Sequence, residues 1–219
     1  VDLAIVASSG GERFARLVGA RRTIADKPGG HHEVENCMAL LAPLGIADNP
    51  GRVSIRADAD TRDRMAQRLP SGFQRPVLGV HLSARKPSQR WPEDRFIAVI
   101  QHLLAAGLVG HVLLFWAPGD DHDPRHPGDD RKAQRVVAAL GGLPVTAMPT
   151  AALPELIGGL DLCDLVLCAD GGAMHVAAGL GKPIVCLFGD SGAAQWRPWG
   201  VPHELLQPQT RDVQDISVA

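Results

Sequence analysis

The sequence predicts an α/β fold built on a parallel sheet, and three observations carry that expectation. Near the end, Asp164-Leu-Val-Leu-Cys-Ala-Asp170-Gly-Gly-Ala-Met-His175 leads through Gly181-Lys-Pro183 to Ile184-Val-Cys-Leu-Phe188. It reads as strand, glycine turn, short helix, strand. Upstream, Val77 to Leu82 starts a strand that leaves into a basic loop and then a helix. Between these two stretches, apolar runs short enough for buried strands alternate with longer helix-forming segments. That alternation belongs to sheets with crossover helices.

Taken in order, Val1 to Ala7 is strand-like, Ser8 to Gly11 is a turn, and Glu12 to Gly19 suits a short helix. Opening inside a strand, without Met, the chain reads as a fragment. Lys27-Pro-Gly-Gly30 is a turn. In His31 to Leu44, the residues Val34, Cys37, Met38 and Leu41 recur at i, i+3, i+4 and i+7, one face of an amphipathic helix. Glu33 and Glu35 fall in its first turn, where the helix dipole favours acid. Arg52 to Arg56 alternates like a strand, and Asp58 or Asp60 can cap a helix running to Leu69. Pro70 to Pro76 reads as a linker. The expected division is therefore a first α/β unit at 1–70 and a second unit at 77–206.

The second unit opens with the strand from Val77. Ser83-Ala-Arg-Lys-Pro-Ser-Gln-Arg90 follows, and Pro92 starts a helix whose apolar stripe is Phe96, Ile97, Ile100, Leu103 and Leu104, with Gly107 as its stop. His111 to Trp116 is a strand, Lys132 to Leu140 a helix, and Val145 to Met148 a strand. Pro154 opens a helix that turns Leu156, Ile157 and Leu160 inward. Leu165 to Ala169 and Ile184 to Phe188 are then expected as parallel neighbours, which puts Gly171-Gly172 at the carboxyl edge of the sheet, where such folds bind ligands. From Gln207 the tail is polar and expected to end in a helix or in disorder.

Composition narrows the function classes. The chain has 219 residues, a formal charge of −2 and 45% hydrophobic residues, an ordinary globular balance with no basic excess for nucleic acid. No run of 18 or more apolar residues could span a membrane. Cys37, Cys163, Cys168 and Cys186 lack metal-ligand spacing and read as reduced thiols, hence a cytoplasmic setting. His122 and His126 with neighbouring aspartates lack a helical period that would hold them around a metal. Gly189-Asp-Ser-Gly192 copies a protease motif, but Ser191 follows a buried strand and Ala193 breaks the Gly-x-Ser-x-Gly pattern.

The turn at Asp170 has phosphate-binding chemistry. A helix N-terminus offers unpaired backbone N–H groups and partial positive charge. His175 lies in the first turn, and Asp170 can accept from the turn or from a sugar hydroxyl. The loop from Ser83 adds Arg85, Lys86 and Arg90, a composition suited to a diphosphate.

Asp170-Gly-Gly-Ala-Met-His175-Val-Ala-Ala-Gly-Leu-Gly-Lys-Pro183, with Leu187-Phe-Gly189, Trp196-Arg-Pro-Trp-Gly200 and Trp91-Pro92, resembles glycosyltransferase family 9, which contains the ADP-heptose:lipopolysaccharide heptosyltransferases. The resemblance implies a GT-B fold: a partial N-terminal unit followed by a Rossmann-like domain that binds the nucleotide sugar. It implies transfer of a sugar, heptose in that family, from a nucleotide-diphosphate donor such as ADP-heptose to a lipid-linked lipopolysaccharide core acceptor at the inner face of the cytoplasmic membrane. No cofactor or metal is implied, and no nucleic acid.

The donor contacts implied are Ser83, Arg85, Lys86, Arg90, Asp120, Asp170, Gly171, Gly172, Ala173 and His175. No catalytic residue is assigned, because the family's general base sits in an N-terminal Gly-Asp loop that this sequence lacks. Two departures stand out. Gly171 replaces the family's usual Thr, and Gln89 occupies the position two residues before Trp91 where the family often has Lys. A non-catalytic nucleotide-sugar-binding module and a GT-B nucleotide-sugar epimerase remain as alternative readings.

Overall fold

The computed structural model describes residues 1–7, 11–25, 29–47, 49–123 and 127–218. Of the expected turns, Ser8 to Gly10 and Lys27 with Pro28 lie outside the described residues, as does His126. Contacts divide the chain into two compact units, residues 1–51 with 194–197 and residues 52–193 with 198–219.

The first unit pairs β1 (Leu3–Ile5) in parallel with β2 (Arg22–Ile24), joined through α1 (Gly11–Leu17). Helix α2 (Glu33–Ala39) follows, shorter than the expected span and continued by a 3₁₀ turn at Ala42–Leu44. Its buried stripe is His32, Asn36 and Leu40, whereas Val34, Cys37, Met38 and Leu41 are half-buried. His32 is satisfied at both ring nitrogens, and Asn36 through its amide N–H, while the buried Asn36 Oδ1 has no partner among the described residues. His32 Nδ1 accepts the Val34 N–H as the helix cap, its Nε2 meets the Arg197 carbonyl at 2.8 Å, and Asn36 donates to His31 O.

The second unit starts upstream of the expected linker. Residues 52–56 do not form a strand. They run beside the helix that follows Asp170, where Ile55 N–H donates to Gly179 O at 2.8 Å. Asp58 caps α3 (Ala59–Ala66), accepting from Thr61 N and Oγ1, and α3 packs on α6 (Leu153–Asp161) with an Arg62–Asp161 ion pair at 2.6 Å. Residues 52–70 thus group with the large sheet.

That sheet has six parallel strands: β3 (Val77–His81), β4 (His111–Trp116), β5 (Val145–Pro149), β6 (Leu165–Ala169), β7 (Ile184–Leu187) and β8 (His203–Leu206). Their spatial order is β5-β4-β3-β6-β7-β8, so the winding reverses between β3 and β6, the switch point of a doubly wound sheet. Helices α4 (Glu93–Ala105), α5 (Asp130–Ala139), α6 and α7 (Gly172–Gly179) make the crossovers. The β6–β7 pair is parallel, with Cys168 opposite Cys186.

Strand alternation feeds two cores. Leu113, Phe115, Val166 and Cys168 point to one layer with Met148, Leu160, Met174 and Phe188. Leu114, Trp116, Val80 and Leu167 point to the other with Trp91, Phe96, Ile100 and Val136. Cys163, Cys168 and Cys186 are buried free thiols, and burial pushes Cys163 and Cys186 up to about 12. Trp91 anchors the start of α4, stacked edge-on against Phe96 with its indole N–H donating to Ile216 O at 3.0 Å. Beyond β8 the tail holds a 3₁₀ turn at Val213–Asp215, with Val213 buried. Among the described residues, no helix is long and apolar enough to cross a membrane.

Candidate functional site

Carboxyl ends of four strands converge on one cleft of about 660 Å³. The exit of β3 contributes His81, Ser83, Arg85, Lys86 and Gln89; that of β4, Ala117 and Pro118; that of β5, Thr150 and Ala151; that of β6, Asp170, Gly171 and Gly172 with Ala173 on α7. The cleft opens at the switch point, where two crossovers leave in opposite directions and the strand ends stay uncovered.

Glycine at 171 and 172 is not demanded by the protein. A Cβ built on either meets nothing within 4 Å, and neither backbone has φ in the left-handed range. The expected sharp turn is therefore open to other residues, and the two glycines leave empty space beside the first N–H groups of α7. Ala173 is buried and lines the cleft beside them. A different glycine is required nearby. A Cβ on Gly189 would fall 2.2 Å from Ser88 O, so the loop after β7 and the loop after β3 come this close at residue 189 because it has no side chain.

Between those loops runs a network that the sequence did not disclose. Gln89 is 4% exposed and donates from Nε2 to Asp170 Oδ2 at 2.7 Å and to Ser191 Oγ at 2.8 Å. Lys86 Nζ reaches Asp190 Oδ1 at 3.2 Å and Ser191 Oγ at 3.1 Å. Gln207 donates to the carbonyls of Gly189 and Ser191, and Arg211 to that of Ser191. Hydrogen bonds to Ser88 and Lys86 outweigh burial and hold the Asp190 carboxyl below its usual range. Where a lysine would bring a third charge, the neutral amide of Gln89 bridges a carboxylate and a hydroxyl.

The three cations of the loop separate. Arg85 is exposed, lines the cleft, and makes no hydrogen bond or ion pair with a described residue. Lys86 lines it too, but is paired as above. Arg90 faces away: its Nε donates to Ala84 O at 3.0 Å, and it borders a separate cleft with Asp129 and Lys132. Ser83 closes the base of the site, its Oγ accepting the Ala117 N–H at 2.9 Å, which ties the exits of β3 and β4.

Other expected residues lie outside this cleft. His175 is exposed on the first turn of α7 and is not among the lining residues. Asp120 lines a small neighbouring hollow with His122 and Arg131. There Asp120, Asp121 and His122 bring one ligand atom each within 4.8 Å of one another, but Arg131 forms an ion pair with Asp121. That guanidinium already neutralises the acid a cation would need.

Sequence reasoning missed His81, Thr150 and the partner role of Gln89. His81 is half-buried, and burial drives its pKa down to about 4, against the Ser83 carbonyl at 3.2 Å and with the charge of Lys132. It is a neutral imidazole at pH 7. Thr150 is buried with Oγ1 donating to Trp116 O at 3.2 Å. Its place was legible in principle, since the residue after each strand of a parallel sheet borders the ligand edge.

Comparison with known proteins adds to this geometry. The family described as glycosyltransferase family 9 (heptosyltransferase) matches residues 4–215. Lipopolysaccharide heptosyltransferase 3 of Escherichia coli K12 is 27% identical over 172 residues, 78% of this chain and 47% of that protein. The chain thus spans about half the length of that relative. Among solved structures, the glycosyl transferase family 9 protein from Veillonella parvula superposes with a TM-score of 0.77 at 19% identity, covering 95% of this chain and 63% of that one. The ADP-heptose lps heptosyltransferase II of E. coli gives 0.73 at 18% identity, covering 98% and 72%. These likenesses show the fold to be of the heptosyltransferase GT-B type.

Proposed function

From a chain that belongs to glycosyltransferase family 9, we propose a donor-binding role: the cleft at the switch point holds the nucleotide diphosphate of a sugar donor while the sugar passes to a lipopolysaccharide core acceptor. Heptose carried on ADP is the donor that the names of the relatives favour. The acceptor proposed on the same relationship is a lipid-linked oligosaccharide met at the inner face of the cytoplasmic membrane.

The carrying observation is that Arg85 and the N-terminus of α7 face one open cleft at the sheet's carboxyl edge. Sugar transfer leaves negative charge on the departing diphosphate. Positive groups fixed in advance around that charge lower the barrier without reorganising during the reaction. The guanidinium of Arg85 and the unpaired N–H groups at Gly172 and Ala173 supply it, with Lys86 able to exchange Asp190 for a phosphate oxygen. Asp170, oriented by Gln89, is an acceptor for a donor hydroxyl. His175, on the same helical turn, is assigned to the donor beyond the cleft. The general base is expected outside these 219 residues.

The test is calorimetric titration with ADP, UDP, GDP and adenosine. Binding of ADP well above adenosine is expected. Failure of any nucleoside diphosphate to saturate the chain would remove the reading. Turnover assayed on this chain and on one extended upstream should appear only with the extension.

A further inference from the structure

Lys132, on the first turn of α5, takes no part in the cleft, yet its ammonium sits where the phosphate-facing loop begins and ends. Its Nζ donates to Leu82 O at 3.1 Å and to Trp91 O at 2.8 Å. Those are the residues immediately before and after residues 83–90. The same Nζ lies 4.8 Å from the centroid of the Phe96 ring. Two carbonyls and an aromatic face thus take up the ammonium's directions, with no carboxylate in contact.

Other bonds fix the loop's neighbours. Trp91 is pinned by Ile216 and packed edge-on against Phe96, and Ser83 is tied to Ala117. Within the loop, Arg90 donates to Ala84 O. Lys132 alone of these groups joins both ends. We propose that Lys132 is a positioning residue for donor binding: it pinches the base of residues 83–90 so that Arg85 and Gln89 are held toward the cleft before the diphosphate arrives. This rests on the donor reading above. A loop ordered in advance forfeits less freedom on binding, so the gain appears as affinity for the group the loop touches.

The charge of Lys132 gives the clamp a pH signature. Burial lowers its pKa to about 8; Asp129 on the entry to α5 and Glu93 on α4 favour the charged form, and Arg90 from the loop disfavours it. The ammonium holds carbonyls more strongly than the neutral amine, so the clamp is firm at neutral pH and loosens as pH rises through about 8.

The experiment compares the wild type with Lys132→Met, which keeps the apolar stem over Phe96, and with Ile100→Ala as a stability control in the same core layer. Lys132→Met should weaken ADP binding at least tenfold and leave adenosine within twofold. Ile100→Ala should lower the melting temperature while leaving ADP affinity in place. Wild-type affinity for ADP should fall about threefold or more between pH 7.5 and 9.5, and that of Lys132→Met should stay flat. Limited trypsin digestion supplies a readout without ligand: the bond after Arg85 should be cut faster in Lys132→Met. Equal ADP affinity and equal cleavage in wild type and variant would overturn the clamp. A wild type that binds no nucleoside diphosphate would overturn the donor reading, and the digestion would then decide the clamp by itself.

Discussion

Gln89→Glu isolates the bridge between Asp170 and Ser191. The change swaps an amide for a carboxylate of nearly the same shape, so it leaves no cavity and removes no packing. It places a carboxylate oxygen where Nε2 now donates to Asp170 Oδ2 at 2.7 Å. Two unit charges about 3 Å apart at an effective dielectric near 20 repel by roughly 5–6 kcal/mol. The pair has a cheaper escape, which is to share one proton. At pH 7, protonating a carboxyl of ordinary pKa near 4 costs about 4 kcal/mol. Asp170 is only half-buried and Lys86 lies within reach of Ser191, so screening brings the expected loss of stability to about 2–4 kcal/mol. The sign with pH follows directly. The pair's folded pKa is raised above its unfolded value, so its penalty is full near neutrality and shrinks as pH falls, by about 1.4 kcal/mol per unit. Urea unfolding of wild type and variant at pH 7, 6 and 5 measures this. A gap under about 0.5 kcal/mol at pH 7, or one that does not narrow with acid, would show that Gln89 does not donate to Asp170.

Arg85→Ala should weaken ADP binding by about 1.5–3 kcal/mol, roughly 10- to 150-fold, with the melting temperature unchanged because the side chain is exposed; an equal loss for adenosine would deny it the phosphate. Asp164→Ala should cost about 1–3 kcal/mol in unfolding free energy, since Asp164 accepts the Val77 N–H at 2.7 Å and the Arg75 guanidinium at 2.5 Å, at the start of the central strand pair. Burial opposes ionisation of Asp164, but those two donors outweigh it and hold its carboxyl below the usual range. Its contribution is therefore present above about pH 4 and fades as pH falls through the depressed value; an undiminished gap between wild type and variant at pH 2–3 would contradict this. Gly189→Ala should destabilise by about 1–3 kcal/mol, because its Cβ would collide with Ser88 O and force the two loops apart; an unchanged unfolding midpoint would mean that the loops part freely.

The parallel sheet was legible because buried strands announce themselves. Residues 112–116 and 165–169 are apolar on both faces, and each is followed within two residues by a breaker or an acid. Edge and surface elements were harder. Strand β8 alternates half-buried with exposed residues between two prolines and pairs only with β7, so its sequence carries little more signal than a loop. Residues 52–56 show the converse. They alternate like a strand, but a strand needs a partner, and Ile55 found the end of α7 instead. In α2 the apolar period pointed to Val34 and Leu41, while caps and side-chain amides carried His32 and Asn36 inside.

The candidate site was legible as two loops and illegible as an arrangement. Residue types at 83–90 and 170–175 pointed to an anion, because a helix start with two glycines and a run of cations both suit one. Which cation faces the cleft depends on partners distant in sequence. Lys86 is paired with Asp190, and Arg90 bonds back to its own loop, which leaves Arg85 toward the open space. Gln89 is the instructive case. Read alone, it marks a lost charge. Placed between Asp170 and Ser191, it is a neutral donor that keeps an acceptor oriented in a half-buried position, where lysine would have formed a third cation beside Lys86 and Arg85. Charge at this edge is thereby assigned to Arg85 and to the α7 N-terminus, and orientation to Gln89. Salt should therefore weaken diphosphate binding here less steeply than a three-cation loop would require, because fewer mobile charges are being matched.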